Sequence, residues 1–420
     1  MGNEHARSET DQGKAGRVQQ VIDILDRGVV VKTLPTRREV VDRLASTNPA
    51  RIYIGADPTG PSLHLSHAKN YLLLEEFRQL GHQVIVLFGD FTARIGDPTD
   101  RDSARHGLSD DEIRTNVGSW LEQVRPVISF DDPVNPAQIK YNSQWLAGLS
   151  LSDVIDLLGM VTVQRMLERD MFQRRLVGEQ PIHLHEFLYP MLQGYDTVAM
   201  DVDIELCGTD QEFNALMGRT LRRRMSGKDK LVIEVNLMEN PRTGQLMSKS
   251  SGVGVFLDTT PEDLYGQVMA LPDEMTRVCF VNNTRIPLAE IDRIVAGHPR
   301  DAKATLARHL VELLRGPEAA AIAEHDFEQR FVSKAMPDSA PRVPAPWPRA
   351  SALEVAELGG AKEVYGSRAA VRRVIRQGGL KIDGVSISDP RASIAAHTVL
   401  DVRVGKRIWF MLAPHDAAIE

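Results

Sequence analysis

Cysteine is scarce in this chain: two among 420 residues, Cys207 and Cys279, far apart and in no metal-binding spacing. Two such thiols cannot frame a disulfide scaffold, and they fit a reducing compartment. Long apolar runs are missing as well. No segment approaches the length of a membrane span, and the polar start MGNEHARSETDQGKAG has no apolar signal core. A cytoplasmic protein with no membrane partner is therefore expected. Basic excess is the third absence, since 50 Lys/Arg stand against 57 Asp/Glu, for a net charge of −7. On average the chain does not look like a nucleic-acid binder. What remains, with 42% hydrophobic and 25% charged residues over 420 positions, is folded protein enough for two or three domains.

The charge is unevenly placed. Residues 350–414 hold 10 Lys/Arg against 6 Asp/Glu, a local +4 that leaves −11 for the rest of the chain. Segregation of this kind suggests an RNA-facing appendage on an acidic body.

Two segments carry the chemistry. Residues 53–67 read YIGADPTGPSLHLSH, an apolar strand running into a Gly/Pro-rich turn and then a helix whose first turn bears His64 and His67. Three apart on a helix, they share a face. Residues 243–252 read TGQLMSKSSG, a loop that offers Lys249 between Ser248 and Ser250. A strand, a turn and a helix in this order open a Rossmann-type unit, where ligands gather at the carboxyl ends of parallel strands. Imidazoles at a helix start and a lysine on a later loop suit a nucleotide's phosphates. Either segment alone has a plainer reading, as a half-buried polar pair or a solvated turn.

These residues resemble a family, the class I aminoacyl-tRNA synthetases and, within them, the bacterial-type tyrosyl-tRNA synthetases. His64-Leu65-Ser66-His67 is similar to the HIGH signature and Leu246-Met247-Ser248-Lys249-Ser250 to KMSKS. The likeness continues through GDFTARIGDPT (89–99), EFLYPMLQGYD (186–196) and CGTDQ (207–211). The resemblance implies activation of L-tyrosine by ATP and transfer to tRNA(Tyr). It makes Thr59, His64, His67, Ser248 and Lys249 catalytic, and gives Gly55, Asp57, His64, His67, Gly208, Asp210, Met247 and Lys249 to ATP. Tyr53 and Asp196 would read the substrate phenol, with Asp97, Tyr189 and Gln193 at the ammonium and Gln211 near the carboxylate. Asn142 and Trp145 match a further family position behind the nucleotide side, where Trp145 is equally a core residue. Arg101 and Arg105 either meet the leaving pyrophosphate or belong to a solvated loop.

The fold class expected is α/β: a Rossmann-type parallel-sheet catalytic domain with a helical insertion, then an α-helical domain and a small α+β S4-like domain. An N-terminal segment at 1–36 precedes the catalytic domain at 37–257. Val84 to Phe88 reads as a buried parallel strand, Ser109 with Glu112 as a capping box, and 151–177 as helical. The insertion, about 109–185, forms the dimer interface in the family, so a homodimer is expected. Thr260-Pro261-Glu262 opens a helical anticodon-side domain at 258–335. The segment 336–350, with five prolines, reads as a semi-rigid linker. The tail at 351–414 resembles an S4 RNA-binding domain, with a basic helix ending at Gly378-Gly379 and a hairpin turn at Asp383-Gly384. Arg368, Arg372, Arg373, Arg376, Lys381, Lys406 and Arg407 are its expected phosphate contacts, the alternative being a solvated helix face.

Three positions depart from the family pattern. Ser66 stands for the glycine of HIGH, Leu246 for the first lysine of KMSKS, and Cys207 for the first glycine of a Gly-Gly pair. Losing one lysine removes a phosphate contact of about 1–3 kcal/mol, which slows the chemistry without abolishing it. His183-x-His185-Glu186 lacks a third nearby ligand, so no protein-bound metal is assigned; Mg2+ is expected to arrive with ATP. Two other readings remain, a paralogue activating tyrosine for a non-translational purpose and an RNA-binding protein on a decayed scaffold.

Overall fold

Apolar residues at 51–56 and 83–88 are buried on both faces of their strands, the condition for a parallel sheet with helices on either side. The computed structural model describes residues 2–97, 108–247, 254–333, 336–337 and 340–414. The chain forms two compact units, 1–316 and 317–420.

In the first unit, strands β1 (Val30–Leu34), β2 (Arg51–Ala56), β3 (Gln83–Phe88), β4 (Gln138–Tyr141), β5 (Ile204–Gly208) and β6 (Leu231–Val235) form one sheet in the order β1-β6-β5-β2-β3-β4. All neighbours are parallel except β1, which runs antiparallel to β6. The segment expected to stand before the catalytic domain thus supplies an edge strand of its sheet, after a helix at Gly2–Asp26. From β2 the chain runs outward through β3 and β4, then crosses back to build β5 and β6 on the other side. Between β2 and β5 lies the switch point where such sheets open a crevice. Their ladder pairs Ile52 with Ile204 and Tyr53 with Glu205, while both strands continue further.

Helix starts and stops follow local chemistry. Leu65–Gln79 ends before Gly81, whose φ of 90° only glycine adopts without strain. Asp110–Val124 begins with Ser109 and Glu112 in a reciprocal capping box, and Pro261–Met269 has Thr260 as cap and Pro261 in its first turn. The stretch 151–177 is not one helix but three: Leu151–Leu158, Val163–Leu167 and Asp170–Val177. Gly159 caps the first, and Thr162 starts the second by accepting from the Arg165 amide. Helices Asp273–Asn283, Leu288–Val295 and Pro299–Arg315 complete the unit.

The second unit starts with helix Pro317–Phe327. Its sheet joins β7 (Arg342–Pro344), β9 (Leu380–Ile382), β10 (Val385–Ile387), β12 (Leu400–Val404) and β13 (Ile408–Ala413) in the order β10-β9-β12-β13-β7, while β8 (Ala350–Ser351) pairs with β11 (Ser393–Ile394). The segment expected as a linker therefore contributes β7, which lies parallel to β13 at the sheet edge, the place where prolines are tolerated. Asp383 and Gly384, both at positive φ, turn β9 into β10. Helix Arg368–Arg376 buries Val371 and Ile375 in a core with Leu380, Val402, Val404 and Phe410. Residues one helical turn apart face inward, so its arginines face out.

Among the described residues no helix is long and apolar enough to cross a membrane.

Candidate active site

A cleft of about 590 Å³ opens at the carboxyl ends of β2 and β5. Tyr53, Gly55, Asp57 and Thr59 reach it from β2 and the following turn, and His64, Ser66, His67 and Lys69 from the start of helix Leu65–Gln79. Tyr189, Gln193 and Asp196 enter from helix Leu188–Ala199, with Cys207, Gly208, Asp210 and Gln211 after β5. Asp97, Asn142, Leu246 and Met247 complete the wall. Ser248, Lys249, Arg101 and Arg105 lie outside the described residues.

The helix start is held by chain from two hundred residues away in sequence. Leu65 donates its amide to Val255 O at 3.1 Å, Leu257 to Leu63 O at 2.9 Å, and Asn283 Nδ2 to Leu65 O at 2.7 Å. Met247 donates to Met238 O at 2.8 Å. Both flanks of the signature loop are thereby fastened beside the cleft.

The His64 amide donates to His67 Nδ1 at 3.2 Å, and the two rings lie 4.0 Å apart between centroids. An accepting Nδ1 leaves the proton on Nε2. Burial lowers His64 to about 4 and holds His67 well below its ordinary value, with Lys69 lowering both further. At pH 7 the pair is neutral and works through hydrogen bonds.

Two glycines make room for carboxylates. A Cβ on Gly89 would stand 1.9 Å from Asp57 Oδ1, and one on Gly208 2.3 Å from Asp210 Oδ1. Asp57 accepts from Thr92 Oγ1 at 2.7 Å and from the Tyr189 hydroxyl at 3.0 Å. Burial raises it to about 7 against the pull of those two donors. Gln211 Nε2 donates to Asp97 Oδ2 at 2.7 Å and to Asp210 Oδ2 at 3.1 Å, which ties the expected ammonium and ribose positions together. Arg169 reaches Asp97 at 3.4 Å and lies over the Phe213 ring.

Tyr53 and Asp196 are both buried in the wall, yet each has its own partners. Asp196 accepts from Trp145 Nε1 at 2.7 Å and Asn142 Nδ2 at 3.3 Å, and burial holds its carboxyl well above the ordinary value. The Tyr53 hydroxyl meets Thr197 Oγ1 at 3.2 Å. Thr197 also receives the Lys230 ammonium at 3.1 Å, and Lys230 is paired with Glu205. Glu205 in turn accepts from Gln193, and Gln193 Oε1 from Asn214. Sequence reading did not single out Lys69, Thr92, Arg169, Thr197, Glu205, Asn214 or Lys230. One of them, Glu205, is a charge between apolar neighbours, Ile204 and Leu206, and that was its visible signal; the others carried none. Glu186 is committed to Arg175, and among the described residues no cluster of three or more His, Cys, Asp or Glu side chains is placed to hold a metal ion.

Against known proteins, residues 45–332 match the family described as tRNA synthetases class I (W and Y), more than half of the chain. The chain belongs to that family. Two curated relatives extend the likeness over nearly the whole length. A tyrosine–tRNA ligase of Moorella thermoacetica is 38% identical over 93% of this chain and 95% of its own, and tyrosine–tRNA ligase 2 of Vibrio parahaemolyticus is 36% identical over 93% and 97%. Among solved structures, a C-terminally truncated mitochondrial tyrosyl-tRNA synthetase of Aspergillus nidulans superposes with TM-score 0.62 at 22% identity, covering 76% of this chain and 100% of that one. The Archaeoglobus fulgidus enzyme, solved with L-tyrosine, gives 0.56 at 19% over 73% and 99%. These two share the fold of this chain, that of class I synthetases.

Proposed function

We propose that the chain joins L-tyrosine to tRNA(Tyr) in two steps, through an ATP-derived tyrosyl-adenylate. The observation that carries this reading is convergence: residues from five separate stretches of sequence, each matched to amino acid or nucleotide, line one cleft at the sheet's switch point. The near full-length likeness to tyrosine–tRNA ligases supports it.

The tyrosine carboxylate attacks the α-phosphorus of ATP, and pyrophosphate leaves with the electron pair of the broken bond. A ribose hydroxyl of the tRNA end then attacks the acyl carbon and gives up its proton, and AMP leaves with the electron pair of the broken acyl–phosphate bond. No protein nucleophile is required, so the residues act by positioning and by donors aimed at the phosphate. His67 Nε2–H, His64 and Thr59 are such donors, and Lys249 belongs to the same group. Asp210 accepts from the ribose, with Gly55, Asp57, Gly208 and Met247 forming the nucleotide wall. Asp97, Tyr189 and Gln193 take the ammonium, Gln211 the carboxylate, and Asp196 and Tyr53 the phenol. Mg2+ arrives with ATP as part of the substrate.

Exposed Leu151, Ile155, Val163, Val177 and Leu184 give the insertion an apolar surface suited to a second copy of the chain. In the second unit Arg368, Arg372, Arg373, Arg376, Lys381, Lys406 and Arg407 are all exposed, as phosphate contacts require. The setting is the cytoplasm. Tyrosine-dependent exchange of labelled pyrophosphate into ATP tests the reading: exchange with tyrosine and not with tryptophan is expected, and no exchange with either overturns it.

A further inference from the structure

Lys69 is a lysine where a helix would ordinarily bury an apolar side chain. It sits in the second turn of Leu65–Gln79, is 1% exposed, and lines the cleft. Its ammonium donates to Asn70 Oδ1 at 2.7 Å, and among the described residues no carboxylate lies within 4 Å of it. Burying an ammonium with one of three donors satisfied costs several kcal/mol. Within the fold only the attraction of Asp210 works against it.

The surroundings say what else does. Ser66, three residues earlier, shares its helix face and also lines the cleft. Lys69 is close enough to His64 and His67 to lower both. Burial lowers Lys69 itself to about 7, and Asp210, which lines the same cleft, is the carboxylate that pulls the other way. Lys69 thus lines the same cleft as His64, His67 and Asp210, near the amino end of a helix, where the backbone dipole favours an anion. Leu246, an apolar residue, lines the same cleft.

We propose that Lys69 is a nucleotide-binding cation of this site, its ammonium contacting the α-phosphate at the junction with the ribose. The inference rests on the reading of the cleft as an ATP site. It places a charge inside the pocket at a position fixed by a helix, where it needs no loop to close.

The test uses the full chain and three ligands. Lys69→Met keeps the side chain's length and removes its charge, and Lys69→Arg keeps the charge. Calorimetric titration should show ATP and AMP binding weakened about ten- to hundredfold in Lys69→Met, as for loss of a charged hydrogen bond. Adenosine should stay within about twofold, and Lys69→Arg should recover part of the loss. Thermal melting should show Lys69→Met at least as stable as the parent, because an unpaired buried charge has been removed. Unchanged ATP binding, or equal losses for ATP and adenosine, would overturn the assignment. Pyrophosphate exchange separates this from the parent reading: exchange by the parent chain with ATP binding indifferent to Lys69 removes the lysine's role alone. ATP binding that depends on Lys69 in a parent chain without exchange keeps the lysine's role and removes the ligase reading, and a parent chain that binds no ATP removes both.

Discussion

Tyr53 and Glu205 are register partners across β2 and β5, at the last pair before the strands part to form the cleft. Tyr53 points its hydroxyl at Thr197, and Glu205 holds Lys230, whose ammonium meets that same threonine. The floor of the expected phenol pocket is therefore a buried chain of two hydroxyls and two charges, Tyr53–Thr197–Lys230–Glu205.

A buried ion pair of this kind is costly to break and cheap to replace. Lys230→Met alone leaves Glu205 as an uncompensated buried charge and should destabilise the first unit by about 3–5 kcal/mol. The double variant Lys230→Met/Glu205→Leu should regain most of that stability, read as the urea midpoint, while losing affinity for tyrosine because Thr197 and Gln193 lose their partners. A double variant as unstable as the single one would show that the pair stabilises the fold directly.

Asp196 should control side-chain recognition. Its two donors, Trp145 and Asn142, keep its carboxyl in place, so Asp196→Ala deletes an acceptor without disturbing the helix. The substrate hydroxyl is then left unpaired in a buried site, at about 1–3 kcal/mol. Tyrosine should bind about ten- to hundredfold more weakly and phenylalanine almost as before. Equal losses for the two amino acids, measured by titration, would remove the phenol assignment.

Asp57 gives a pH signature. Its folded pKa of about 7 lies above the ordinary value, so in the free chain this group favours the folded state at low pH and that contribution is lost as pH rises through 7. Tyr189, expected at the substrate ammonium, donates its hydroxyl to Asp57, so a cation bound there favours the ionised form of Asp57 through the cleft. Tyrosine affinity should therefore rise as pH increases through about 7, and binding at pH 7 should release a proton. Titration heats that differ between buffers of different ionisation enthalpy report that proton, and Asp57→Asn should erase the difference.

What the sequence showed was local. Ser109 with Glu112, and Thr260-Pro261, mark helix starts through bonds within a few residues, and the structure has those starts. The separated signature blocks were legible because each keeps its own residue types. What stayed hidden was set by distant partners. Val30–Leu34 becomes a strand only because β6 is there to pair with it, and the proline-rich segment yields β7 only against β13. Glu205 and Lys230, in separate strands and loops, read as two surface charges until the sheet buries them together. The helix at 151–177 breaks where Gly159 and Thr162 cap, a signal outweighed in the sequence by the density of Leu, Met and Arg.

The basic face of the second unit leads to a prediction about RNA. Val371 and Ile375 anchor helix Arg368–Arg376 in the core, which leaves Arg372, Arg373 and Arg376 exposed on its outer side. None of the three is in an ion pair that fixes it within the described residues, whereas Arg368 is held by Glu357 at 3.0 Å. Replacing all three by glutamine removes charge without touching the core, so the unit should melt as before. Tyrosine-dependent pyrophosphate exchange, assigned under the proposed function to the first unit's cleft, should stay near the parent value. Charging of tRNA should fall, and it should also become less sensitive to salt, because a chain that neutralises fewer phosphates releases fewer counterions on binding. The two readouts together decide the matter. If charging falls while its salt dependence keeps the parent slope, the arginines act on something other than phosphate, and if neither changes, they are an ordinary solvated helix face.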